Sequence, residues 1–184
     1  MDKIGTLGLG ILLLALAVGC SSGDTSSDTP DANNDANAGG MDTAALFLEA
    51  KPEGAKPLAS IKESAKVGDQ VAFEARVGGR GEPFVDNRAV MVVIDPSLPS
   101  CKDRHGDVCP IPWDYCCEAP ESLVANTATV QWVGDDGTPQ PLSLKGQGGL
   151  AELAWITVVG EVTMKDDSGL FVVNAKGVFL EKQG

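Results

Sequence analysis

The chain is poor in the side chains on which most catalysis depends. It holds one His and one Tyr in 184 residues, with three Trp and five Phe, so general bases, imidazole ligands and stacking rings are scarce. It has no Cys-x-x-Cys pair. A Ser-His-Asp hydrolase would have to use His105, the sole imidazole, so no enzymatic activity is expected. Positive charge is also short: 14 Lys and Arg face 26 Asp and Glu, for a net charge of -12. That sign argues against nucleic acid as the partner. Carboxylate pairs exist at Asp135-Asp136 and Asp166-Asp167, but each adjoins glycine and reads as a solvated turn.

Long apolar runs are confined to the amino terminus. After Lys3, residues Ile4 to Val18 are almost wholly apolar, too few for a comfortable membrane span. The run ends in Leu16-Ala17-Val18-Gly19-Cys20. This resembles the lipobox of bacterial lipoproteins, although Ala17 stands where a leucine is usual. The resemblance implies a signal peptide over 1–19 and a diacylglyceryl group on Cys20, which then becomes the first mature residue. Two or more acyl chains give stable membrane attachment. Residues 20–43 are rich in Ser, Asp, Asn, Thr and Gly with no Lys or Arg, a composition that cannot bury a core. They form an acidic tether spanning roughly 25 Å root-mean-square as a flexible coil. Ser21 is not the aspartate of an inner-membrane retention signal, so the expected location is the outer membrane, facing periplasm or exterior.

The remainder, 44–184, carries a β pattern. Short helical stretches are expected at Thr43 to Ala50 and Pro57 to Lys66. In Gln70 to Val77, residues Val71, Phe73, Ala75 and Val77 alternate with Ala72, Glu74 and Arg76, the period of a strand with one buried face. Further strands are expected at Phe84 to Ile94, Thr127 to Val133, Trp155 to Met164 and Leu170 to Leu180. The fourth has Ile156, Val158, Gly160, Val162 and Met164 on one side, with Gly160 where a barrel strand bends. A brief helical turn is expected at Gly149 to Ala154, and Asp166-Asp167-Ser168-Gly169 is a hairpin turn.

Two strands, a long insertion, a third strand, a helical turn and a closing hairpin resemble the OB-fold, a five-stranded Greek-key barrel, with an open antiparallel sandwich as the rival. The resemblance covers about 65 to 182, and it carries no reaction with it. The chain also resembles a set of uncharacterised bacterial lipoproteins through Gly78-Gly79-Arg80, Glu82-Pro83-Phe84, Val93-Ile94-Asp95-Pro96-Ser97-Leu98 and Cys109-Pro110-Ile111-Pro112-Trp113-Asp114-Tyr115-Cys116-Cys117. That likeness implies a dedicated module and names no ligand.

The insertion between the second and third strands, 96–126, is 31 residues long, well past the usual upper limit of about 12 to 15 for an unstructured connection. It contains Cys101, Cys109, Cys116 and Cys117, every cysteine except Cys20. Outside the cytosol an even number of thiols reads first as disulfides. The expected pairings send Cys116 and Cys117 to Cys101 and Cys109, and spacing does not choose between them. The alternative is a thiol-dependent metal or redox site of Cys101, His105, Cys109, Cys116 and Cys117 holding zinc or copper. The acids Asp103, Asp107, Asp114 and Glu118 lack the one-three-five spacing of a calcium loop.

Trp113 and Tyr115, with Pro110 and Pro112, read either as a small core for the insertion or as an aromatic contact surface. OB-folds bind along their second and third strands and between two loops, here Gly78 to Pro83 and Asp166 to Gly169. Arg80 and Arg88 are therefore the candidate ligand contacts beside Trp113 and Tyr115. The expected function is a lipid-anchored envelope module without a cofactor, binding an envelope protein, peptide or glycan.

Overall fold

The computed structural model describes residues 42–106 and 108–183. The expected leader, the expected lipidation residue Cys20 and the expected tether up to residue 41 lie outside the described residues, as does Asp107. The described part is all-β in its framework, with six strands and two short α-helices. They are β1 (Lys56–Pro57), α1 (Leu58–Ser64), β2 (Gln70–Val77), β3 (Val90–Ile94), α2 (Pro120–Asn126), β4 (Thr127–Gln131), β5 (Trp155–Lys165) and β6 (Phe171–Lys182).

Five of the strands hydrogen-bond into a closed ring in the order β2-β3-β4-β6-β5 and back to β2. The end of β2 pairs antiparallel with β3 at Arg76↔Ile94 and Val77↔Val93, while its length pairs with β5 from Gln70↔Glu161 to Arg76↔Trp155. β3 and β4 are antiparallel from Val90↔Gln131 to Ile94↔Thr127. β4 meets β6 in parallel, from Thr129↔Val172 to Gln131↔Asn174. A ring of this kind leaves few unpaired strand edges, and β1 adds a short parallel pairing to β2 at Lys56↔Phe73.

The alternation in sequence sets the core. Val71, Phe73, Ala75 and Val77 of β2 are buried in one apolar cluster with Met91, Val93, Val130, Ile156, Val158, Val173 and Val178. Leu58 and Ile61 of α1 and Leu46 join them. Burying each large side chain stabilises by about 1.5–3 kcal/mol. Gly160 lies at a register shift between β5 and β6, and a Cβ there would stand 2.5 Å from the Asn174 carbonyl. The strands could not approach so closely with any side chain at that position. A second shift follows Val162, and Met164, expected on the buried side, is 53% exposed. The extra residue of a bulge turns the following side chains to the other face.

Several expected boundaries move. The stretch 43–50 yields only a 3-10 turn, Thr43–Leu46, capped by the Asp42 side chain. The second strand is confined to β3, with Phe84 touching it through an isolated bridge to Met91. Asp86-Asn87-Arg88 intervenes as a turn, with Asn87 at φ 53°. The helical turn expected at 149–154 lies earlier, at Gln147–Gly149. Inside the insertion, α2 starts with Pro120 at its first position, where the missing N–H costs nothing.

Candidate functional site

The insertion is tied to the ring at three places. At its root the Asp95 N–H donates to the Asn126 carbonyl at 2.9 Å, so entry and exit lie side by side. Near Cys101, the buried Arg76 of β2 forms an ion pair with Asp103, whose carboxylate also accepts from the Ser100 N–H and hydroxyl. Burial raises the Asp103 pKa, but the bonds from Ser100 and Arg76 outweigh it and hold the carboxyl below its ordinary value. At the far side the Gly79 N–H donates to the Trp113 carbonyl and Trp113 Nε1 donates to the Gly81 carbonyl, both at 2.8 Å. A Cβ on Gly78 would stand 2.8 Å from that Trp113 carbonyl, so the Gly78-Gly79 pair permits the insertion to sit directly on the turn after β2.

Tyr115, a candidate ligand contact, is fully buried and packs with Ile94 and Leu153, while Trp113, Leu98 and Leu123 are partly buried against them. These aromatics form the small core of the insertion, and Tyr115 is not on a surface that a ligand can reach. Burial pushes the Tyr115 pKa up to about 12 against the opposing pull of nearby Arg76, and among the described residues its hydroxyl has no partner at good hydrogen-bond geometry. It also adopts φ 58°, a left-handed conformation that costs a non-glycine residue energy.

Around this core the thiols gather. Cys101 opens a 3-10 turn capped by Ser100, and its N–H donates to the Pro112 carbonyl at 3.2 Å. Cys101 Sγ lies 3.7 Å from Cys116 Sγ and 3.8 Å from Cys117 Sγ, and Cys109 Sγ lies 3.8 Å from Cys116 Sγ. A disulfide requires about 2.05 Å, so none of these separations is one. The thiols of Cys101, Cys109 and Cys116 and a carboxylate oxygen of Asp114 all fall within 4.8 Å of one another, a group that can hold a metal ion. Cys101 is buried, Cys109 and Asp114 are half-buried and Cys116 is exposed. Asp114 also accepts the Cys116 N–H at 2.8 Å, fixing the turn between them. Hydrogen bonding to Cys101 and Cys109 raises the Cys116 pKa well above its ordinary value, the reverse of what a reactive redox thiolate needs.

His105 does not join the group. It is exposed on the turn between Cys101 and Cys109. The fourth member of the group is Asp114. Spacing within Asp103, Asp107, Asp114 and Glu118 did not single it out, yet Asp-x-Cys is the local signal, because a carboxylate two residues before a cysteine can bond that cysteine's N–H.

The two arginines part company. Arg80 is exposed and lines a groove of 480 Å³ with Gly79, Val92, Thr127, Thr129 and Phe171. Arg88 lies in a separate depression with Asp86, Asn87 and Pro139. The first groove lies between the turn after β2 and the β5–β6 hairpin, which contributes Gly169 and Leu170. That hairpin is held by Lys62 of α1, whose Nζ donates to the carbonyls of Val124, Thr127 and Gly169 at 2.6, 2.7 and 2.7 Å. Burial, aided by nearby Lys165, lowers the Lys62 pKa.

No family model matches this chain, and no curated protein matches it significantly. Among the described residues no helix is long and apolar enough to cross a membrane.

Proposed function

We propose that the chain is a lipid-anchored, non-catalytic module of the bacterial cell envelope, an OB-fold barrel that binds a protein, peptide or glycan partner. The observation that carries the binding part is the groove at Arg80. It lies between the loop after β2 and the β5–β6 hairpin, over the centre of β3 and β4. The ring order β2-β3-β4-β6-β5, with β4 parallel to β6, supports the OB-fold reading. The wall offers one guanidinium, two threonine hydroxyls and the exposed apolar Leu170, a mixture suited to a neutral or acidic chain. Attachment rests on the lipobox-like Leu16 to Cys20 and on the acidic tether.

Two measurements test this. Cells fed labelled palmitate should label the wild-type chain and not Cys20→Ser. Crosslinking in native envelopes should capture a partner that Arg80→Glu loses and Arg88→Glu keeps. Equal labelling of both chains, or equal capture by both arginine variants, would remove the corresponding half of the reading.

A second reading, favoured by the Cys101-Cys109-Asp114-Cys116 group, is thiol-dependent binding of zinc or copper by the insertion.

A further inference from the structure

The insertion has no large core of its own. In the apolar cluster at its base only the buried Tyr115 belongs to the insertion, packed against Ile94 of β3 and Leu153, and Cys116 Sγ stands 3.7 and 3.8 Å from Cys101 and Cys109 Sγ, beyond the roughly 2.05 Å of an S–S bond. The stretch at Cys101, the stretch at Cys109 and the Asp114–Cys116 turn meet at the thiol group, where something can join them.

The sulfur separations identify what. Zinc held by thiolates at about 2.3 Å in a tetrahedron sets neighbouring sulfurs about 3.8 Å apart, the edge of that figure. Cys116 Sγ is at that distance from both Cys101 and Cys109, at 3.7 and 3.8 Å. The third edge of the sulfur triangle and the edges to the Asp114 carboxylate are no longer than 4.8 Å. Small movements of side chains would close these onto one ion. Cys117 is 3.8 Å from Cys101 but is not a member of the mutually close set.

Resting on the metal-binding reading above, we propose that Cys101, Cys109, Cys116 and Asp114 bind a single zinc ion that staples the insertion, with Cys117 beside the site and outside the ligand set. The carboxylate decides between the two metals. Copper(I) selects soft sulfur donors, whereas zinc accepts thiolate and carboxylate together in a tetrahedron. Binding converts three thiols to thiolates, and three protons leave to solvent. No electron is transferred. The ligands come from three separated stretches, so the ion crosslinks the insertion much as two disulfides would. The surroundings are prepared for it: Ser100 and Arg76 hold Asp103 next to Cys101, and the buried Tyr115 lies between two of the ligands.

The test uses the full mature chain, purified anaerobically in detergent without chelator. Elemental analysis should find one zinc per chain. Cobalt(II) reconstitution should give tetrahedral visible bands with thiolate charge transfer. Cys101→Ser, Cys109→Ser and Cys116→Ser should each abolish the stoichiometric metal, Asp114→Ala should weaken zinc by about tenfold or more through loss of one of four ligands, and Cys117→Ser should keep one equivalent. As a readout independent of variant folding, chelation of the wild-type chain should expose 101–118 to protease while the strand circular dichroism stays unchanged. Stoichiometric copper in place of zinc would overturn this proposal and leave metal binding standing. Loss of zinc in Cys117→Ser with retention in Asp114→Ala would also overturn it, by making Cys117 the fourth ligand. Two intact disulfides and no metal would overturn both readings.

Discussion

The ring and the insertion solve the same problem with opposite means. In the ring, strands meet around an apolar cluster in which Phe73, Val77, Met91, Val130, Ile156 and Val158 have no exposed surface, and hydrophobic burial dominates. In the insertion, Tyr115 is the single aromatic fully enclosed, and the work passes to directional contacts. These are the Arg76–Asp103 ion pair, the Trp113 bonds to the turn after β2, the Lys62 bonds and the thiol group. The comparison teaches that a segment too small to bury a core can still be fixed when its polar contacts are made to a rigid neighbour.

Breaking the ring should have the largest effect. Phe73→Ala removes a fully buried ring from the centre of β2 and should cost about 3–5 kcal/mol, read as a cooperative loss of stability in urea melts. Lys62→Met should follow, at roughly 2–3 kcal/mol, because three carbonyls lose their common donor. Lys62 joins α1 to the end of α2, the start of β4 and the hairpin, so this variant should loosen both regions and raise amide exchange at Val124 to Thr127. Arg76→Met should cost less, about 1–2 kcal/mol, since Asp103 is 43% exposed and regains water when its partner is removed. Its signature is spatial: limited proteolysis should cut first within 101–118 while the ring remains folded. Tyr115→Phe should be smallest, within about 1 kcal/mol and stabilising in sign, because the hydroxyl is buried without a hydrogen bond. A large loss in Tyr115→Phe would mean that the insertion depends on that oxygen, and the contrast with the ring would need redrawing.

Much of the ring was legible before any coordinate. Period-two alternation located β2, β4, β5 and β6, and the mid-strand glycine of β5 marked the bend. What alternation does not say is what covers a strand's other face. Arg76 shares the sequence face of Ala72 and Glu74, yet it is only 5% exposed, because Asp103 of the insertion, the Leu153 carbonyl and the Trp155 ring lie against it. β1 escaped notice for a different reason: two residues, Lys56 and Pro57, carry no period. Among the site residues, the gathering of cysteines was visible as a cluster in sequence, whereas the choice of Asp114 over His105 was not. Asp114 and Cys116 flank Tyr115, whose left-handed φ of 58° is a conformation that nothing in the side-chain pattern demands.

The pairing Ile94↔Thr127, followed at once by the Asp95–Asn126 bond, means that the chain departs from the ring and returns to it at neighbouring points. The intervening residues are thus an appendage that does not govern how the strands on either side align. A tight turn joining those two points should preserve the alignment, and the excised piece, moved to another hairpin, would need counterparts there to Arg76, to the glycine pair, to Lys62 and to the Ile94 and Leu153 surface under Tyr115.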